Sequence, residues 1–113
     1  MHELSLADDV LRIVIGQLQE ADLASVKIVR VAIGEMMMVE KDTFIFAFDA
    51  LKEDTPLKDS RIEIVNIPPK AVCGKCGASF QPEKFYPLCP QCGGQDYSIV
   101  EGNSMFVKEV EVD

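Results

Sequence analysis

Apolar residues recur along this chain with two different periods, and the changes of period mark its elements. Ala7, Val10, Leu11, Val14, Leu18 and Ala21 are spaced three and four apart, which sets them on one face of an α-helix. Ser5, with Asp8 three residues on, reads as the cap of that helix, and Asp8 and Asp9 suit the positive end of its dipole. From Val26 to Ile33 the period drops to two: Val29, Val31 and Ile33 alternate with Ile28, Arg30 and Ala32. This β-branched run predicts a strand ended by Gly34. The helical period returns between Glu40 and Glu53 through Phe44, Ala47, Phe48 and Leu51, a face expected in the core, and stops near Thr55-Pro56. Ser60 to Ile67 reads as a second strand, closed by Pro68-Pro69, and Ser104 to Val112 as a third.

The segment between the last two strands follows neither period and holds all four cysteines. At 113 residues the chain has the size of one compact domain, or of a small domain carrying a metal-stapled insert. A net charge of −8 repels nucleic acid and anionic membrane. No apolar run is long enough to cross a bilayer, and Asp8, Asp9 and Arg12 interrupt the apolar core that a signal peptide needs. A cytoplasmic protein is therefore expected, and cysteines in a reducing compartment read as thiolate ligands rather than disulfides.

Cys73-Gly74-Lys75-Cys76 and Cys89-Pro90-Gln91-Cys92 form two C-x2-C knuckles. Two intervening residues let both sulfurs of a knuckle face one ion, and Gly77 and Gly93 allow the backbone to turn with positive φ. Four thiolates close a tetrahedral site with no position for water, so the ion is structural, and zinc is expected before iron. A zinc enzyme would need an open position and a general base, and the sequence offers neither. Between Pro68 and Ser98, Lys70, Lys75 and Lys84 stand against Glu83 and Asp96, so this is not a basic, nucleic-acid-binding ribbon. Phe80, Phe85 and Tyr86 are expected to pack around the knuckles. Met36-Met37-Met38 reads as filling a loop or an interface, with a soft thioether site for copper as the alternative.

The remaining chemistry lies at the start, Met1-His2-Glu3, where His2 is the sole histidine. Read alone, it is a solvated, frayed end. The alternative is a chelate: the terminal amine, the His2 amide and the His2 imidazole can close fused rings around one metal, with Glu3 supplying a carboxylate or a further amide. Such a near-planar nitrogen set suits Ni(II) or Cu(II) and gives Zn(II) no advantage. The bulk of His2 argues that Met1 and its amine are retained.

Taken together, Met1-His2-Glu3-Leu4-Ser5-Leu6-Ala7, Ile33-Gly34-Glu35, the pairs Cys73/Cys76 and Cys89/Cys92, and Gly102-Asn103 before a final strand resemble the HypA family of hydrogenase maturation factors over essentially the whole length. The resemblance implies an α+β fold: a small mixed three-stranded sheet with two helices, plus an inserted four-cysteine zinc ribbon. It divides the chain into a nickel-binding domain, residues 1–68 completed by the strand 100–113, and a zinc-ribbon domain, residues 69–99. It further implies Ni(II) as transferable cargo at Met1, His2 and Glu3, with Glu40 as an outer partner, and structural Zn(II) on Cys73, Cys76, Cys89 and Cys92. The activity implied is that of a nickel metallochaperone, not an enzyme, which works with the GTPase HypB and delivers to the large-subunit precursor of [NiFe]-hydrogenase. Similar proteins in some organisms also supply urease, which adds urease maturation proteins to the implied partners. The segment between the knuckles is short here, whereas some similar proteins carry a longer insertion with extra histidine.

Overall fold

The computed structural model describes residues 2–82 and 88–113. The expectations for Met1, Glu83, Lys84, Phe85 and Tyr86 lie outside the described residues. In chain order the elements are α1 (Glu3–Gln17), a one-turn α2 (Glu20–Leu23), β1 (Val26–Gly34), a 3-10 turn (Glu35–Met37), α3 (Lys41–Lys52), β2 (Arg61–Ile67), β3 (Lys70–Cys73), β4 (Ser79–Phe80), β5 (Tyr97–Glu101) and β6 (Met105–Val112). They fall into two compact units.

The first unit comprises Met1–Ala32, Val39–Val65 and Met105–Asp113. Its helices bury the faces that their spacing sets apart: Ala7, Val10, Leu11 and Val14 on α1, and Phe44, Ala47 and Phe48 on α3. The two helices pack against each other. Val29 and Val31 of β1 and Leu57 from the loop after α3 complete a core closed to solvent. Burying each such side chain contributes about 1.5–3 kcal/mol. The sheet order is β2-β1-β6, so the most apolar strand lies in the middle. The Gly34 N–H donates to the Ser104 carbonyl and the Asp113 N–H to the Ser25 carbonyl, so β6 runs antiparallel to β1. On the other side Arg30 meets Glu63, and Glu35 meets Asn66, in the same order along both chains, as in a parallel pair joined by a crossover helix.

Two details differ from the expected first helix. It starts at Glu3 with His2 as its cap, so Ser5 lies inside it; and it ends at Gln17, where Leu18 turns extended, leaving Ala21 to the separate α2. Gly16 in the last turn and the absence of a basic residue there weaken that end. The second helix, by contrast, opens one residue after Glu40 and closes one residue before Glu53.

The second unit, Ile33–Met38 with Asn66–Ser104, carries a sheet of order β4-β3-β5, which the strand periods did not announce. Its strands are short and pair antiparallel, Ala71 facing Phe80 on one side and Ile99 on the other. Phe80 meets Tyr97 edge-on, ring centres 5.3 Å apart. The same unit holds a close backbone crossing: a Cβ on Gly34 would stand 2.3 Å from the carbonyl carbon of Gly102, while the Met36 N–H donates to the Gly102 carbonyl. Met36, Met37 and Met38 form the turn just after it. Met36 and Met38 are exposed, and Met38 adopts a left-handed conformation at φ 55°.

Candidate metal centres

The two knuckles are built alike. The Gly77 N–H donates to the Cys73 carbonyl at 3.0 Å and the Gly93 N–H to the Cys89 carbonyl at 2.8 Å, and both glycines take φ +74°. The Cys73 N–H reaches the Ala78 carbonyl and the Cys89 N–H the Gly94 carbonyl. Gly74 is tied to the residue just before β5: its N–H donates to the Asp96 carbonyl at 2.6 Å, and a Cβ there would stand 2.9 Å from the Asp96 carboxylate. Asp96 thus packs closely on the first knuckle through both its carbonyl and its carboxylate, a contact not visible in the sequence spacing.

All four sulfurs converge within 4.8 Å of one another. Cys73 and Cys92 Sγ are 3.6 Å apart and Cys76 and Cys89 Sγ 3.7 Å apart. Thiolates about 2.3 Å from a tetrahedral ion lie about 3.8 Å from each other, so the donor set fits such an ion, Zn(II) among them. Backbone amides of Cys76 and then Lys75 bring the Cys73 thiol down to about 6, and the Cys92 amide lowers Cys89. At Cys76 the Ala78 amide lowers the thiol but burial and the neighbouring sulfurs outweigh it, pushing it up to about 11; at Cys92 the pull of the Gly94 amide is likewise outweighed, first by Cys73. Only half of this cluster is inclined to ionise unaided, and a divalent cation would ionise the rest. Cys73 and Cys89 are buried, whereas Cys76 and Cys92 face solvent.

At the other end of the sequence, His2 caps α1 and is exposed, its carbonyl accepting the Leu6 N–H at 2.9 Å. Glu3, the first residue of the helix, is buried to 5% exposure, which is rare for a carboxylate without partners of its own. Its Oε2 accepts the Glu40 N–H at 3.0 Å, joining residues 37 apart in sequence. The amino terminus of the chain, then the Glu40 amide, then its own amide hold the Glu3 carboxyl at about 2, well below its ordinary value. The structure thus brings Glu3 and Glu40 together, but through the main chain of Glu40. The Glu40 carboxylate is turned to its own helix, where Oε1 accepts the Asp42 N–H at 3.1 Å. No local pattern could have revealed the Glu3–Glu40 link, since periodicity reports faces and not partners.

Comparison with known proteins matches the chain over its whole length. The family profile described as hydrogenase/urease nickel incorporation, metallochaperone, HypA covers residues 1–112. The hydrogenase maturation factor HypA of Rhodopseudomonas palustris is 37% identical over the full length of both chains. That of Cereibacter sphaeroides is 37% identical over 99% of each. Among solved structures, the nickel metallochaperone HypA from Helicobacter pylori superposes with a TM-score of 0.75 at 26% identity, covering 99% of this chain and 97% of that one. With a family match over residues 1–112 and relatives alike over the whole length, the chain belongs to the HypA family of nickel-incorporation metallochaperones, maturation factors rather than catalysts.

Proposed function

We propose that the chain binds Ni(II) through the Met1 amine, the backbone nitrogens of His2 and Glu3 and the His2 imidazole, and carries it to the large-subunit precursor of [NiFe]-hydrogenase in the cytoplasm. The GTPase HypB is the partner in that transfer, and urease maturation proteins are further recipients. Residues 1–68, completed by 100–113, serve the nickel end. Residues 69–99 form the ribbon, in which Cys73, Cys76, Cys89 and Cys92 hold a structural Zn(II). Bound there, the zinc ion supplies cohesion and no reactivity.

One observation carries the nickel reading: His2 and Glu3 form the head of a packed helix, the first as its cap and the second as its first residue. Amide N–H groups in the first turn of a helix have no intrahelical acceptor, so those of His2 and Glu3 can be deprotonated without breaking helical bonds. The amino terminus, the Glu40 amide and its own amide hold the Glu3 carboxyl at about 2, so it stays an anion beside the nitrogens of the chelate. Tied also to the Glu40 amide, it keeps that end on the body of the first unit. Glu3 therefore positions the chelate, and Glu40 supports it through Glu3. Nitrogen ligands exposed at a chain end compete with protons and with partner ligands, which suits release. Among the described residues, no helix is long and apolar enough to cross a membrane.

Calorimetric titration with Ni(II), alongside zinc analysis, tests the assignment. Native protein should take up nickel. His2→Ala, an acetylated amine, or one residue added ahead of Met1 should each abolish uptake while zinc content stays the same. Unchanged uptake by the extended chain would overturn it.

A further inference from the structure

The four sulfurs of the cage are not equivalent. Cys73 and Cys89 are buried, and the amides that meet them come in pairs: Lys75, whose N–H reaches Cys73 Sγ at 3.4 Å, with Cys76, and Gln91 with Cys92. Cys76 and Cys92 face solvent, and among the described residues a single amide meets each, that of Ala78 and that of Gly94 respectively. A thiolate held by fewer hydrogen bonds keeps more of its charge for an electrophile, so the two outer sulfurs are the exposed nucleophiles of the cage.

The two knuckles differ at one place beside these sulfurs. Ala78 and Gly94 occupy the same position, one residue beyond the turn glycine, and the carbonyl of each accepts the N–H of its knuckle's first cysteine. In the first knuckle that position carries a methyl group. In the second it carries none: a Cβ on Gly94 would stand 3.2 Å from Cys92 Sγ and 4.0 Å from Cys73 Sγ, over the edge of the cage that these two sulfurs form. They lie 3.6 Å apart, across the knuckles. The edge between Cys73 and Cys92 is thus open where its counterpart has a side chain.

Building on the zinc assignment above, we propose that Cys92 is a modification site, the thiolate at which hydrogen peroxide enters the cage, and that Cys73 is the thiolate that resolves it. The Cys92 sulfur attacks one peroxide oxygen: an S–O bond forms, the O–O bond breaks and hydroxide leaves, so that the sulfur gives up two electrons and the peroxide takes them. Cys73 then attacks the Cys92 sulfur, an S–S bond forms, the S–O bond breaks and a second hydroxide leaves. Two protons from solvent turn both hydroxides into water. In sum, two thiolates, one peroxide and two protons give one disulfide and two waters. Cys76 and Cys89 alone do not close a tetrahedral site, so zinc is released.

In the test, zinc-loaded full-length protein is treated with less than an equivalent of hydrogen peroxide, quenched by alkylation and digested with trypsin, which cuts after Lys70, Lys75, Lys84 and Lys108. Mass spectrometry should find peptide 71–75 joined through Cys73 to Cys92 of peptide 85–108, with Cys76 and Cys89 alkylated. A chelating dye should record zinc release in step with that link. Gly94→Ala, which supplies the missing methyl, should slow release severalfold. Ala78→Gly, which removes its counterpart, should bring Cys76 into the early reaction and join peptide 76–84 to 85–108. A first disulfide within a knuckle, joining 71–75 to 76–84, overturns the proposal. So do equal release rates for the native and Gly94→Ala proteins, each loaded with zinc beforehand, or zinc retained by the linked protein. A native chain that takes up no zinc overturns the zinc assignment and this site with it, whereas a loaded chain that oxidises elsewhere overturns this site alone.

Discussion

At the scale of single residues, Glu3 shows how much a buried carboxylate depends on its partners. Its carboxyl is lowered from 4.5 to about 2, first by the amino terminus and then by the Glu40 amide. An acid whose folded value is depressed stabilises the native state at pH above its unfolded value, and that contribution is lost as the pH falls through the folded one. The relevant window therefore runs from 4.5 down to about 2. Glu3→Gln keeps the shape but not the charge, so melting temperatures recorded across this window should fall less steeply for the variant than for the native chain; parallel curves would show that the carboxylate has no such role. Phe44 and Phe48 were legible from spacing alone, because a helical period needs only its own element. The link from Glu3 to the Glu40 amide was not legible, because that partner lies 37 residues away and no local pattern records it.

Among the elements, two glycines that look alike in sequence behave oppositely. A Cβ on Gly34 would stand 2.3 Å from the backbone of Gly102, at the crossing of the end of β1 with the turn before β6. Backbone cannot move aside as a side-chain tip can, so Gly34→Ala should cost about 1–3 kcal/mol or more. Gly16 in α1 has nothing within 4 Å of the same position, and Gly16→Ala should stabilise by about 0.4–1 kcal/mol. Denaturant unfolding of both variants checks the contrast, and two changes of the same sign would contradict it. The element boundaries were read to within a residue or two for β1, α3, β2 and β6, where turn signals bracket an apolar run. The start of α1 was missed because the first turn closes through the main chain, Leu6 N–H on the His2 carbonyl, with no side-chain cap to mark it in the sequence. The ribbon strands were missed because runs as short as Ser79–Phe80 leave no period to detect.

For the molecule as a whole, the two units are held together by different means. The first has Phe44, Phe48, Leu57, Val10, Val14, Val29 and Val31 closed to solvent. Among the described residues the second has few such side chains beyond Ala71, Cys73 and Cys89, so in the proposed zinc-loaded protein sulfur–metal bonds would stand in for an apolar core. Removing zinc with a chelator should therefore erase exchange protection in β3 and β5 while the helical circular dichroism of α1 and α3 stays within about a tenth of its starting value. Collapse of the helical signal together with the ribbon would mean that the ion sustains both units.

The sequence alone determined the chemistry and the local periods. Four cysteines at knuckle spacing, a histidine at the second position, two amphipathic helices and three apolar strands are properties of neighbours along the chain, and neighbours are what a sequence records. Tertiary structure decided the long-range facts: that Glu3 meets the Glu40 amide, that Gly74 bonds to the Asp96 carbonyl, that Gly34 meets Gly102, and that β6 is left at an edge beside α1. Each of these depends on where distant segments come to rest. That is settled by which faces can be buried together, and the linear order of residues does not record it.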